Sequence, residues 1–217
     1  MKKIMFNDKY GLTQAVLEGR KTMTRRIIPL CERDLRFLYR SQTKANGCSL
    51  LALVSMETFP AYNVGDCLAV AQSYSNLREV LAKRDFKRTD ALYDKFYRAM
   101  QMGETHDGMP GWGNKMFVRA DLMPHSIRIT DIKCERLQDI SDKDCLKEGI
   151  EEYFPYIDRN PDDKVKSYRF RDKKSEYGYY QLSPIRDCFA VLIDRICGKG
   201  TWNRNPWVFA YDFELIE

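Results

Sequence analysis

The segment of residues 207–216 restricts the folds open to this chain more than any other feature of its sequence. Large apolar side chains occupy every second position there, at Trp207, Phe209, Tyr211, Phe213 and Leu215. A period of two is typical of a long strand with one face towards a core. We expect this segment to be a closing strand, and a strand needs partner strands to satisfy its backbone hydrogen bonds.

Other parts of the chain alternate between strand patterns and helix patterns. Strand composition or alternation marks residues 21–28, 67–71, 116–120 and 126–135. Helical spacing marks residues 8–19, 77–102, 141–149 and 183–197. Strands interleaved with short helices predict an α+β fold, built as a small mixed β-barrel rather than a doubly wound sheet.

The composition limits where the chain can work and with what. It has no apolar run long enough to cross a bilayer, and its first residues lack the apolar segment of a signal peptide, so we expect a cytoplasmic protein without a membrane partner. Seven cysteines without a Cys-x-x-Cys pair, and only two histidines, argue against a disulfide framework, a zinc site or a serine–histidine triad. We expect no metal and no cofactor. A net charge of +5 is compatible with a polyanionic partner.

Four cations crowd the octapeptide GRKTMTRR, residues 19–26, where a predicted helix gives way to a predicted strand. Lys21 and Thr24 are three positions apart, so they would face opposite sides of a regular strand. They can share a pocket only across a bulge or across the helix-to-strand turn itself.

The neighbours of Lys21 affect its charge. Arg20, Arg25 and Arg26 disfavour the protonated amine, which lowers the pKa of Lys21 towards that of a usable base. The alternative interpretation is an ordinary charged edge strand, whose cations discourage edge-to-edge aggregation. Composition by itself favours this second interpretation.

A second basic segment, residues 164–174, carries six cations and one acid. Aromatic residues flank it, at Tyr153, Phe154, Tyr156, Tyr177, Tyr179 and Tyr180. Cations beside rings that can stack are typical of proteins that grip single-stranded nucleic acid. The alternative, which we favour here, is a solvated surface insertion, because acids elsewhere in residues 151–180 balance the charge.

Glu148 ends a short predicted helix that Ser141 begins as an N-terminal cap. A carboxylate in the last turn faces the negative end of the helix dipole, which costs roughly 0.3 to 1 kcal/mol. Departures of this kind from helix preferences are expected at functional sites. The alternative is a solvated glutamate at a frayed helix end.

The motif around residue 21 resembles that of the ASCH family, which belongs to the PUA-like superfamily of small β-barrels. A helix is followed by Gly-x-Lys, a polar residue three after the lysine, and Arg two further on; Gly19, Lys21, Thr24 and Arg26 occupy these positions. The usual motif has glutamate at the position of Thr24. Threonine there resembles the N(4)-acetylcytidine amidohydrolases, and the resemblance implies a partner that is a modified nucleoside or RNA.

The resemblance also implies roles for three side chains. In those amidohydrolases a lysine and a threonine of the motif act with a glutamate from a later short helix, whose position Glu148 occupies. Lys21 would be the base, and Thr24 the nucleophile or the group that orients a water. Glu148 would deliver a proton to the leaving amine, and Arg26 would stabilise the oxyanion.

A non-catalytic RNA-binding module remains the alternative function. In that case Gly19, Arg20, Arg25 and Arg26 form a phosphate-gripping cluster, while Tyr74 or Trp112 stacks a base. Binding would then weaken as salt rises. The sequence does not indicate an oligomeric state.

The likeness to the family does not cover the whole chain. It extends over residues 1–30, 64–75, 112–150 and 183–217. The resemblance therefore implies a single domain, 1–217, with insertions at about 31–63, 76–111 and 151–182. Whether these insertions cover a small pocket or widen it for an RNA strand is left open.

Overall fold

The structure is a computed structural model, and it describes residues 1–29, 60–82, 111–155 and 166–216. Much of the predicted insertions at 31–63 and 76–111, and most of the predicted helix 77–102, lie outside the described residues. By their internal contacts the residues fall into two compact units. The first contains Met1–Phe6, Cys67–Ile127 and the chain end, and the second contains Asn7–Asp66 and Arg128–Leu215.

The described residues form a mixture of strands and helices, which confirms the α+β class. The strands are β1 (Lys2–Ile4), β2 (Met23–Ile27), β3 (Cys67–Val70), β4 (Ser126–Arg136), β5 (Glu151–Tyr153), β6 (Ser167–Arg171), β7 (Tyr179–Leu182) and β8 (Trp207–Ile216). The α-helices are α1 (Leu12–Leu17), α2 (Tyr74–Ala82), α3 (Asp142–Lys147), α4 (Ile185–Cys197) and α5 (Thr201–Arg204). None of these helices is long and apolar enough to cross a membrane.

Each unit has its own strand arrangement. In the first, β1 pairs in parallel with β3, which places Lys2 opposite Leu68, and β3 neighbours β4, whose first two residues belong to this unit. In the second, the order is β4-β8-β2, and a separate antiparallel sheet has the order β5-β6-β7. In neither unit do the described strands close into a barrel, so the predicted small barrel is not confirmed.

Strand β8 runs through the core of the second unit. The prediction of a long strand at 207–216 is confirmed, but both of its faces are covered over the first half, since every residue from Trp207 to Tyr211 is at most 8% exposed. Val208, Ala210 and Asp212 lie on one face of β8, and Lys147 at the end of α3 donates to Asp212 there. The small side chains of Val208 and Ala210 leave room for α3 on that face.

Helix α4 buries the apolar stripe that the sequence predicts. Ile185, Phe189, Leu192 and Ile193 are buried, whereas Ile196, the last residue of the predicted stripe, is only partly buried. Cys188 completes the stripe at 0% exposure, although the apolar spacing did not single it out.

The predicted strand at 116–120 is wrong. The chain forms 3-10 turns at Lys115–Phe117 and Ala120–Leu122 instead. The side chain of Asn114 accepts from Met116 N at 3.0 Å, and Lys3 Nζ donates to the carbonyls of Met116 and Val118 at 2.7 and 2.6 Å. These bonds occupy backbone groups that a strand would need for its ladder.

The segment 151–182 is more regular than the irregular or helical insertion expected there. Its described residues form β5, β6 and β7, with Glu151 opposite Arg169 and Arg171 opposite Tyr179. Phe170 of β6 is 1% exposed, so the sheet has a buried face. This strand pattern was not predicted, because the many charges of the segment favoured a solvated surface insertion.

Candidate functional site

The turn between α1 and β2 positions Lys21. Gly19 follows α1 with a φ of 71°, a left-handed conformation that ends the helix as predicted. Lys21 N donates to Ala15 O at 2.9 Å, and Thr22 N donates to Lys147 O at 2.9 Å. Since β2 begins only at Met23, Lys21 lies in the turn itself, fixed between α1 and the end of α3.

Helix α3 brings Glu148 to the same place. Ser141 Oγ accepts from Asp144 N at 3.1 Å, which confirms the predicted N-terminal cap. Glu148 directly follows the last helical residue, and Gly149 then reverses the chain with a φ of 101°. A Cβ on Gly149 would lie 3.3 Å from Leu12 Cδ2, so only glycine packs here without displacing a neighbour.

Lys21 and Glu148 form a buried ion pair. Lys21 Nζ donates to Glu148 Oε2 at 2.5 Å, and the two side chains are 1% and 6% exposed. The same Nζ donates to the carbonyls of Met23, at 2.7 Å, and of Glu148, at 2.9 Å. Two of the three proposed catalytic side chains therefore touch, although 127 positions separate them along the chain.

Arg25 holds the other oxygen of the same carboxylate. Its Nη1 lies 3.2 Å from Glu148 Oε1, and its Nη2 lies 2.6 Å from Glu135 and 3.5 Å from Asp144. The Arg25 side chain is 1% exposed. Three carboxylates thus converge on a guanidinium, and nowhere in the described part of the chain do three His, Cys, Asp or Glu residues form a group that could hold a metal ion.

Burial and charge act against each other at Lys21. Burial lowers the pKa of Lys21, and the Glu148 carboxylate opposes that effect. Arg26 and Arg25 lower the pKa of Lys21 further, as the sequence predicted. A lysine whose pKa is lowered gives up its proton more readily than an exposed lysine does.

Thr24 and Arg26 belong to the other face of β2. The register is regular, with Thr24 opposite Tyr211 and Arg25 opposite Ala210. Since successive side chains of a strand point to opposite faces, Thr24 points away from the face on which Arg25 meets Glu148. Thr24 is 5% exposed, so its hydroxyl lies in the protein interior.

Arg20 is half-exposed and already paired. Its guanidinium lies 2.5 Å from Glu18 and 3.1 Å from Glu151. Arg25 is likewise buried among carboxylates, so Arg20 and Arg25 both have acidic partners. Their binding role stays a prediction.

Tyr74 and Trp112 lie in the first unit. Tyr74 is 5% exposed and packs with Leu77 and Val118 in a small core, against which Trp112 is partly buried. A Cβ on Gly111 would lie 2.7 Å from Tyr74 Cε2, so the ring is closely enclosed. The base-stacking role of both rings stays a prediction.

A cavity of about 510 Å³, here called the Tyr10 cavity, opens beside the ion pair in the second unit. Its wall contains Gly149 and Ile150, the two residues after Glu148. Arg20 borders it, together with Arg171 and Tyr179 from the second basic segment and its flanking rings. The other polar and aromatic residues of the wall were not singled out from the sequence: Tyr10, Gln14, Glu18, Glu151 and Glu152.

Sequence reasoning also missed the acids around Arg25. Asp144 stands four positions before Glu148 on α3, a spacing that places both carboxylates on one helix face and that could have found it. Glu135 has no such signal, because it reaches Arg25 from β4, 110 positions away.

No protein-family model, curated protein or solved structure matches this chain. The resemblance to the ASCH family therefore rests on the motif at residues 19–26 and on the helix that ends before Glu148. What these residues can do has to follow from their geometry.

Proposed function

We propose that this chain is an ASCH-type, PUA-like protein that recognises a nucleoside or RNA and hydrolyses the acyl amide of a modified nucleoside such as N(4)-acetylcytidine. The observation that carries the proposal is the buried contact of 2.5 Å between Lys21 Nζ and Glu148 Oε2. Amide hydrolysis needs a base for the attacking group and an acid for the leaving nitrogen. One lysine–glutamate pair can supply both.

Over one turnover, Lys21 and Glu148 return to their starting protonation states. Lys21 first passes a proton to Glu148, which leaves a neutral amine beside a carboxylic acid. The amine takes a proton from a water as the water oxygen bonds to the acyl carbon. Glu148 then protonates the cytosine nitrogen as the carbon–nitrogen bond breaks. Acetic acid and cytidine leave, with the ammonium and the carboxylate restored.

Arg25 positions Glu148 in this scheme. Its contact with Glu148 Oε1 leaves Oε2 directed at Lys21. Arg25 is itself fixed by Glu135 and Asp144, so the carboxylate is held on both oxygens before substrate arrives. Such preorganisation lowers the cost of reaching the reactive geometry.

Water, rather than Thr24, is the nucleophile in this proposal. What supports water is the strand alternation that directs Thr24 to the face of β2 away from Arg25 and Glu148. A direct role for Thr24 would require the substrate to reach that other face. Replacement by Ser, which keeps the hydroxyl, would preserve activity better than replacement by Val.

The Tyr10 cavity is the place proposed for the nucleoside. Its volume of about 510 Å³ falls within the range of roughly 300 to 1,000 Å³ typical of small-molecule sites. Tyr10 and Tyr179 supply rings that would flank a base. Neither Lys21 nor Glu148 lines the cavity, because Gly149 lies between it and Lys21, whose Cβ is 3.6 Å from the position of a Cβ on Gly149. The acyl group therefore has to reach the pair past Gly149.

The test is hydrolysis of N(4)-acetylcytidine by the purified full chain, followed by chromatographic separation of cytidine from substrate. Lys21→Met and Glu148→Gln should each reduce kcat by at least about 100-fold, the lower end of the contribution of a general acid or base. Lys147→Met is the matched control, because Lys147 is 46% exposed and pairs with Asp212 rather than Glu148. Absence of turnover by the wild type, or equal turnover by Lys21→Met, would refute the proposal.

The second candidate is the non-catalytic RNA-binding module. It would use the motif cluster, in which the Arg20 side chain is 40% exposed and so within reach of a phosphate. The two candidates differ in turnover and in the dependence of binding on salt.

A further inference from the structure

Strands β6 and β7 with the turn of residues 172–178 form a structured projection, here called the basic hairpin. Asp172 N donates to Gly178 O at 2.8 Å, and Ser175 N donates to Asp172 O at 3.0 Å. Asp172 is 4% exposed and forms an ion pair with Arg195 of α4. The turn is therefore held in one conformation by its own backbone and by a buried carboxylate.

The cations near the tip differ from their neighbours in forming no ion pair within the described part of the chain, although the charge of Arg171 acts on Glu18 across the Tyr10 cavity. Lys166 pairs with Glu152 and Arg169 with Glu151. Arg171, Lys173 and Lys174 are exposed, and none of them forms an ion pair with a described residue. The exposed acid on this tip is Glu176, so these four side chains carry a net charge of +2.

Aromatic rings accompany these cations on the outer face of the sheet. The guanidinium of Arg169 lies between two rings, 5.0 Å from Tyr153 and 4.3 Å from Tyr179. Tyr153 also donates to Gln181, which holds its ring in place. At the tip Tyr177 is 82% exposed, and a bare ring of this size on a structured turn is available for stacking.

Two hollows lie on either side of the hairpin. The Tyr10 cavity contains Arg171 and Tyr179, and a second cavity of about 440 Å³ contains Lys174 and Tyr180. Each hollow thus combines a cation of the hairpin with a tyrosine. Acids line the hollows too, but each has a cationic partner: Glu18 pairs with Arg20, Glu151 with Arg169, Glu152 with Lys166 and Asp172 with Arg195. Cations for the phosphates beside recesses with rings for unpaired bases are typical of proteins that bind single-stranded nucleic acid.

We infer that the basic hairpin is a binding surface for single-stranded nucleic acid. It lies in segment 151–182, which the family resemblance does not cover. It shares the Tyr10 cavity with the proposed nucleoside site, but it does not include the Lys21–Glu148 pair. Binding here does not rest on hydrolysis, since it requires no turnover. A duplex would bury its bases and leave the hollows unused, and an anionic membrane would have no need for the rings beside the cations.

The test is fluorescence anisotropy of the full chain with labelled oligouridine and oligothymidine, to separate RNA from DNA. If three cations contact three phosphates, the slope of log affinity against log salt is about −2, and affinity falls about 20-fold between 50 and 200 mM salt. The triple variant Arg171→Gln, Lys173→Gln, Lys174→Gln should lose this salt dependence. Tyr177→Ala should weaken binding by about 5-fold or more, through lost stacking.

The matched control carries the same change in charge elsewhere. Arg119, Arg128 and Lys133 are 63%, 51% and 56% exposed, and their joint replacement by Gln should leave the affinity within about twofold. An equal loss of affinity in the control variant would mean that only the net charge of the protein matters, and it would overturn the inference. Absent binding to both oligonucleotides, or equal or tighter binding to a labelled duplex or to phosphatidylserine vesicles, would also overturn it. Failure of hydrolysis in the separate assay leaves this result unaffected.

Discussion

At the scale of single residues, the pair of Lys21 and Glu148 affects the stability of the fold as well as its chemistry. Two charges taken out of water lose hydration, and their mutual attraction and hydrogen bonds offset that loss only while both are present. Arg25 extends the same argument, because it shares the Glu148 carboxylate and is 1% exposed. Removing one member therefore leaves the others buried without compensation.

Glu148→Gln should lower the free energy of unfolding by about 3 to 5 kcal/mol, the usual cost of leaving a buried charge without its partner. The double variant Lys21→Met, Glu148→Leu should recover a large part of this loss, because it removes both charges of the pair. Lys147→Met should change stability by less than about 1 kcal/mol, since that lysine is 46% exposed. Urea denaturation followed by circular dichroism measures all three, and a Glu148→Gln protein as stable as the wild type would contradict the burial argument.

At the scale of elements, sequence patterns predicted those segments whose local signals agree with their packing. Ser141 caps α3, and the alternation at 207–216 gives β8. The β5–β6–β7 sheet was not predicted, although Tyr168 and Phe170 alternate with polar residues along β6, because the run of charges favoured a solvated surface insertion. Its stability comes from contacts such as that of Phe170 with Tyr10, which lies far away along the chain.

The ion pair of Arg195 with Asp172 connects α4 to the turn of the basic hairpin. Arg195→Met should leave the buried Asp172 carboxylate without its cation and loosen the turn that it organises. We expect faster hydrogen exchange at the amides of Ser175 and Gly178, measured by mass spectrometry or NMR. Arg119→Met is the control, because that arginine is 63% exposed and pairs with Asp121. Unchanged exchange in the Arg195 variant would show that the turn does not depend on this ion pair.

At the scale of the whole molecule, the sequence predicted the class of the fold and two members of the candidate site. It did not predict which residues from other strands complete the site. Lys21 and Glu148 were proposed from the motif, whereas no spacing indicates that Glu135 reaches Arg25 from a different strand. The orientation of Thr24 also required the register of β2 against β8. Long-range pairing decides these features, and local sequence carries little information about it.

The cysteines provide a test of packing in the folded chain. Burial raises the pKa of Cys145 to about 12 and that of Cys188 to about 12. Because the thiolate is the reactive form, both should resist alkylation by iodoacetamide at pH 8, while exposed Cys67 reacts. Peptide mass spectrometry separates the three sites. Alkylation of Cys188 at the rate of Cys67 in the folded protein would contradict the packing of α4.

If Lys21 and Glu148 act as one unit in amide hydrolysis, as we propose, a double-mutant cycle on kcat for N(4)-acetylcytidine will reveal it. Groups that act as a unit give strongly non-additive effects. We expect the variant Lys21→Met, Glu148→Gln to be about as slow as either single variant. Effects that multiply in the double variant, or single variants as active as the wild type, would contradict this proposal.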